Sequence, residues 1–297
     1  MMMWILILCL FCVSIYAISV VEHWSIYRHW DFMYPFSAFA SSFVQEDVKP
    51  RMHDRTFLQT APILFIVAAV LSVSVLPFAK EFILVKLGTA ALFINAAFAY
   101  IMVSMVLAGW APNGLYSMVG GWRFLGQLIA YSMPIVMAIT STVMRAESMD
   151  MTEIVKSQYE LWNIIYQPLG FILFYLASLA LAFLPPFDIP NSLGELSGGV
   201  FSEYTGKKLL IFRIGRLILI FSLALATANL FLGGWFGPFL PGFVWIFLKT
   251  GAVAISYFFF GRLMPRLRHD HSLEWSWKYG TPLALINILW VGILLLL

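Results

Sequence analysis

The sequence predicts an all-α, polytopic membrane protein with about eight transmembrane helices, and three observations carry that prediction. Hydrophobic residues make up 61% of the chain and charged residues only 11%, where soluble domains carry about 25% charged residues. Apolar runs of roughly 20 residues, enough to cross about 30 Å of hydrocarbon, recur along the chain. Lysine and arginine collect in alternate loops. With a mean hydropathy of +0.87, such a chain cannot hide its apolar surface in a soluble core, so lipid is its solvent.

The first run, 3–21, is long for a leader peptide and has no basic start, so it reads as a helix. Between 33 and 46, Phe36, Phe39 and Phe43 recur at helical spacing. That pattern suits a short amphipathic helix lying along the membrane surface or against a partner. Further spans follow at 57–79, 82–108, 118–143, 161–184, 209–233, 240–263 and 280–297. The loops after spans one, three, five and seven hold Arg28, Lys49, Arg51, Arg55, Lys207, Lys208, Arg262, Arg266, Arg268 and Lys278. The other loops hold Lys80, Arg145 and Lys156. By the positive-inside rule the first set faces the cytoplasm and both termini lie outside. No internal repeat and no long linker divides the chain, so 1–297 reads as a single transmembrane domain.

Charge narrows the chemistry. The net charge of +3 gives no case for nucleic acid. Cys9 and Cys12 share one apolar run and supply neither a disulfide framework nor a metal site. No nucleophile–base pair and no phosphate-binding loop is present, so no catalysis is expected of the chain alone. No Asp or Glu falls in the middle of a span, whereas Lys249 falls near the middle of the seventh. It reads either as part of a polar pathway or as a lysine reaching along its stem toward an interface. Arg213 and Arg216 share a helix face, placed to pair with Glu203 or Glu195 or to meet lipid phosphates. Tyr131, Ser132, Tyr175, Asn95 and Asn229 read first as interhelical hydrogen-bond partners.

The densest polar feature is a loop reading PFDIPNSLGELSGGVFSEYTG from Pro186, which places Asp188, Glu195 and Glu203 close together. It resembles the PFDLPEAExELVxGxxxEYSG loop of the H-type membrane subunits of respiratory complex I, the NADH:quinone oxidoreductase. Related membrane subunits occur in energy-converting hydrogenases. Three further stretches match in order: Gly120-Gly121-Trp122-Arg123 with Gln127, Glu46-Asp47-Val48-Lys49-Pro50, and Leu248-Lys249-Thr250 followed by Arg262, Arg266, Arg268 and Asp270. The resemblance implies eight helices with both termini outside, and a role as the membrane side of a quinone chamber. It implies quinone as substrate at a subunit interface, with no covalently bound cofactor. Its implied partners are peripheral iron–sulfur and quinone-site subunits, antiporter-like and small membrane subunits, and membrane lipid. The implied location is a bacterial or archaeal plasma membrane, or an organellar inner membrane. Residue by residue, Asp188, Glu195, Glu203, Arg123, Arg216 and Lys249 would serve the chamber and its coupling to proton movement. Glu46, Lys49, Arg262, Arg266, Arg268 and Asp270 would dock the peripheral arm.

Departures from the family pattern cluster. Its AETNRxPFD window reads Ala180-Leu181-Ala182-Phe183-Leu184-Pro185-Pro186-Phe187-Asp188, so an acid and an arginine have become Leu181 and Leu184. Acids of the pattern are also replaced by Ser132, Asn191, Leu193 and Arg216. The alternative readings are a membrane anchor of a redox complex that does not itself couple to protons, and a stand-alone transporter. The transporter reading lacks internal repeats and broken midplane helices.

Overall fold

The computed structural model describes residues 2–48, 50–80 and 82–296. The chain forms α1 (Met2–Tyr27), α2 (Tyr34–Val44), α3 (Arg55–Ser74), α4 (Ala90–Trp110), α5 (Leu115–Ala146), α6 (Met151–Lys156) and α7 (Asn163–Tyr166). It continues as α8 (Pro168–Leu181), α9 (Leu193–Leu196), α10 (Gly206–Phe231), α11 (Gly242–Leu263), α12 (His269–Trp275) and α13 (Thr281–Leu296). Among the described residues seven helices are long and apolar enough to cross a membrane, α12 and α13 counting as one, and α8 is a shorter apolar eighth. The predicted all-helical, polytopic architecture is the observed one.

Local chemistry sets the helix ends. Asp54 accepts from Thr56 N at 3.1 Å and caps α3, while Asp150 does the same for α6 through Thr152 N at 3.0 Å. Pro168 occupies the first turn of α8, where its missing N–H costs nothing. Pro282 would break a continuous last helix, since it cannot donate and crowds the preceding turn. A π turn at Ser276–Gly280 precedes it, and Thr281 Oγ1 donates to Ser276 O at 3.2 Å. The eighth span therefore starts at His269, well before residue 280. The third starts at Ala90, not at 82, because residues 82–89 fold into turns that bond back to the end of α3, with Val85 N donating to Ser74 O at 3.0 Å. The expected surface helix is α2, with Phe36, Phe39 and Phe43 exposed.

The core is built around α10. Every residue from Ile218 to Phe231 is buried, so this helix is apolar all round and enclosed by the others. Phe221 of α10 packs on Phe11, Phe78 and Phe247 with ring centroids 5.1, 6.3 and 6.2 Å away. Between α4 and α5, Gly109 and Gly121 let two backbones nearly touch: a methyl at Gly109 would lie 2.6 Å from Gly121 Cα. Small residues at such crossings replace the missing hydrophobic drive between helices in lipid.

The loops sort to two ends. At one end Asp54 N donates to Ala111 O at 2.9 Å, and Val48 N to Thr205 Oγ1 at 2.8 Å. There too Leu267 N donates to Pro186 O at 3.2 Å, so the loops after spans one, three, five and seven meet. At the other end Ala91 N donates to Met149 O at 3.0 Å. Asn229 Nδ2 donates to Pro77 O at 3.2 Å, and Gln158 Oε1 accepts from Gly233 N at 2.9 Å.

Replacing Gly109 by valine forces the α4–α5 backbones apart. Overpacking of this kind costs about 1–3 kcal/mol; the expected result is a lower midpoint in a detergent thermal unfolding series, with Ser14→Ala as the neutral control. An unchanged midpoint would show that the crossing is not tightly packed.

Candidate functional site

The acidic loop, 182–206, lies across the first end of the bundle and is tied down at almost every turn. Gln127 of α5 is buried, and its Nε2 donates to Ala180 O at 2.8 Å and to Phe187 O at 3.1 Å. One amide thus joins the end of α8 to the start of the loop. Phe183 and Phe187 are buried beside Phe124 and Tyr131, with ring centroids 4.9 and 5.1 Å apart. With Phe187 fixed inward, Asp188 emerges next to Arg266. Its Oδ1 lies 3.2 Å from Arg266 Nε in a charge contact that lacks hydrogen-bond alignment. A second nitrogen of Arg266 donates to Asp188 O at 3.2 Å.

Ser192 starts α9 by accepting from Glu195 N at 3.3 Å, which turns Glu195 toward α5. There Arg123 NH1 bonds Glu195 Oε2 at 2.5 Å. This hydrogen bond, aided by the charges of Arg123, Arg266 and Arg268, holds the Glu195 carboxyl below the usual carboxylate range. The side chain is 58% exposed, so water screens the pair and it adds little to stability. Further on, Tyr204 is buried and donates to Ala108 O at 3.1 Å; burial pushes its hydroxyl pKa up and keeps it a donor. Glu203 lies against Gly114 at the start of α5, where a methyl on Gly114 would stand 3.1 Å from Glu203 Oε1. No described residue gives Glu203 a hydrogen bond or ion pair, and the positive end of α5 is its nearest compensation.

The loop ends on a strap. Thr205 Oγ1 donates to Glu46 O at 3.2 Å, and Asp47 Oδ1 accepts from Lys207 N at 3.0 Å, capping α10. Gly206 has φ +58, and a side chain there would collide with Asp47 and Gln45. Beneath the loop, Arg216 Nε and a guanidinium nitrogen donate to Ala182 O and Phe183 O, each at 3.3 Å. Its NH1 lies 2.9 Å from Glu22 Oε1 of α1. Arg216 therefore pairs with Glu22, not with Glu195 or Glu203, and Arg213 bonds Ser42 Oγ of α2 at 3.3 Å.

The residues singled out in the sequence divide accordingly. Asp188, Glu195, Glu203, Arg123 and Arg216 meet at the loop, and Arg266 joins them. Glu46 contributes its carbonyl. Arg268 pairs with Asp270 at 3.1 Å, both well exposed, and Arg262 lies over the Trp24 ring at 4.9 Å. Lys49 lies outside the described residues. Lys249 stands apart, at the opposite end: its Nζ donates to Leu232 O, Gly234 O and Phe236 O at 2.6, 3.1 and 2.6 Å, with the Trp162 ring 4.4 Å away. Sequence reasoning missed Glu22 and Asp47 as working charges. The signal available for Glu22 was an acid standing at the end of the first apolar run, and for Asp47 its place in the 46–50 stretch.

The family model described as NADH dehydrogenase matches residues 27–292. The chain belongs to the NADH dehydrogenase family, in its H-type membrane-subunit branch. It is 37% identical over 262 residues to the first H-type subunit of the NADH-quinone oxidoreductase of Geobacter metallireducens, covering 85% of this chain and 80% of the relative. It is 36% identical over 249 residues to the H-type subunit of the NADH-quinone oxidoreductase of Bacillus cytotoxicus, covering 82% and 75%. The corresponding protein of Bacillus cereus strain B4264 is 35% identical over the same length, with the same coverage. The resemblance read from the loop is thereby borne out. The chain is an integral membrane protein, and its bacterial relatives indicate the plasma membrane.

Because the Glu195 carboxyl is held low, the Arg123 pair contributes fully above the usual carboxylate range and fades as pH falls through the depressed pKa. Arg123→Gln should remove that pH-dependent contribution. Hydrogen exchange of the 192–196 amides against pH checks it, and identical profiles for both proteins would refute it.

Proposed function

We propose that this chain is the membrane-arm subunit of a complex I-like oxidoreductase, forming the membrane side of its quinone chamber. The loop bearing Asp188, Glu195 and Glu203 links quinone reduction to charge movement. The observation that carries this reading is the way the loop is held: three carboxylates with three different degrees of compensation are fixed at one end of a lipid-embedded bundle. Asp188 and Glu195 face Arg266 and Arg123, whereas Glu203 faces only a helix start. Reducing a bound quinone adds negative charge or takes up protons, and carboxylates nearby change protonation in response. The relatives are named as subunits of NADH-quinone oxidoreductases, which supports peripheral iron–sulfur subunits and antiporter-like subunits as partners. The surface around Arg266, Arg268 and Asp270 is then the docking ground for the peripheral arm.

With the arginine-rich end toward the cytoplasm, both termini lie outside. The coupling route differs from the family pattern. Leu181 and Leu184 are buried and cannot titrate, and Arg216 occupies the place of an acid. In our reading the negative charge at that place comes from Glu22 of α1, across the Arg216 guanidinium. Protons leave the loop toward neighbouring subunits, because the spans of this chain offer hydroxyls and amides but no central carboxylate.

Sealed vesicles holding the intact complex, with acceptor reduction and proton uptake recorded together, test this. Asp188→Asn should leave assembly intact and lower coupled turnover about fivefold or more, the scale of a coupling free energy of about 1–3 kcal/mol. Unchanged turnover with an unchanged proton-to-electron ratio would overturn the assignment. Electron transfer without proton uptake in the wild-type complex would instead favour a pure membrane anchor.

A further inference from the structure

A group of cations beside the mouth of α3 takes no part in holding the loop. Arg51, His53, Arg55 and Lys208 gather where the strap enters α3 and where α10 begins. His53, Arg55, Leu58, Gln59 and Lys208 line a cavity of about 240 Å³. A second cavity of about 410 Å³ shares His53 and adds Arg51, Asp54 and Trp110. Among the described residues no carboxylate pairs with Arg51, Arg55 or Lys208; every ion pair lies elsewhere. Asp54, the acid in these walls, has a carboxylate oxygen engaged in capping α3. His53 Nδ1 lies 2.6 Å from Pro50 O, which fixes the ring.

Below the cations the outside of α3 turns apolar along one stripe. Arg55, Gln59, Ile63, Val67 and Leu71 follow at four-residue steps, and all are exposed. The stripe starts at the end of a membrane span and runs into it. Trp110, at the same end of neighbouring α4, is 59% exposed, as tryptophans at a lipid headgroup level are.

We propose that this is a binding site for an anionic phospholipid, with its phosphate between Arg55 and Lys208 and an acyl chain along the α3 stripe. Arginine and lysine give phosphate oxygens charge-assisted hydrogen bonds. Unpaired cations near a membrane attract acidic lipids. A free phosphate leaves the apolar stripe unused, and an acidic protein segment has no reason to follow it into hydrocarbon. The lipid answers both halves of the site at once.

The test is native mass spectrometry on the delipidated complex, titrated with dioleoyl phosphatidylglycerol, dioleoyl phosphatidylcholine and inorganic phosphate. The complex should retain phosphatidylglycerol in preference to phosphatidylcholine, and inorganic phosphate should not displace it. Arg55→Gln and Lys208→Gln should each weaken retention about fivefold, and Lys156→Gln at the other end should leave it unchanged. Lys208→Gln removes a cation from a helix N-terminus, where cations are unfavourable, so the fold survives that change. Equal retention of phosphatidylcholine, displacement by phosphate, or variants binding like wild type would overturn the proposal. So would a photo-cross-linker at Gln59 that captures a protein in place of a lipid in native membranes.

Discussion

The cost of an ionised group in hydrocarbon organises this molecule. A charge at the bilayer centre is expensive, and the chain answers by driving its charged side chains to the two ends of the bundle. Lys249, about two turns into α11, reaches back to the carbonyls that follow α10. Arg216, on the innermost helix, is satisfied by Glu22 and by two carbonyls at the end of α8. What remains between the ends is apolar or neutral. Neutral hydrogen bonds such as that between the hydroxyls of Tyr175 and Ser256 at 2.9 Å join the elements without charge.

The acidic loop is held by its buried Phe183, Phe187 and Val200 and is fastened further by one polar group after another. Gln127 grips it from α5, Arg266 from the segment after α11, Arg123 through Glu195, and the 45–48 strap through Thr205. Fastening of this kind keeps the three carboxylates in fixed positions relative to their arginines. In the proposed function, a change of charge in the quinone chamber then alters protonation instead of being absorbed by movement of the loop.

Much of this was legible in the sequence, for physical reasons. Apolar runs long enough to span hydrocarbon announce themselves, and the aromatic spacing of α2 gave its exposed stripe. The loop was legible because acids are rare in such a chain. Boundaries were less so: residues 82–89 are apolar enough to continue a helix, yet they fold into turns bonded to the end of α3. The partner of Arg216 was hidden because Glu22 and Arg216 stand on helices far apart in sequence and meet only through packing. The surroundings of Lys249 were hidden for a related reason. Its distance from the helix ends is set by sequence, but its burden is lifted by a neighbouring loop that folds back beside it.

A redox-induced infrared difference spectrum of the intact complex tests the central claim most directly. Reducing the bound quinone should produce a carboxyl band that is lost when Asp188, Glu195 and Glu203 are replaced together by their amides. A spectrum with no carboxyl change, or one that survives the triple replacement intact, would contradict the account.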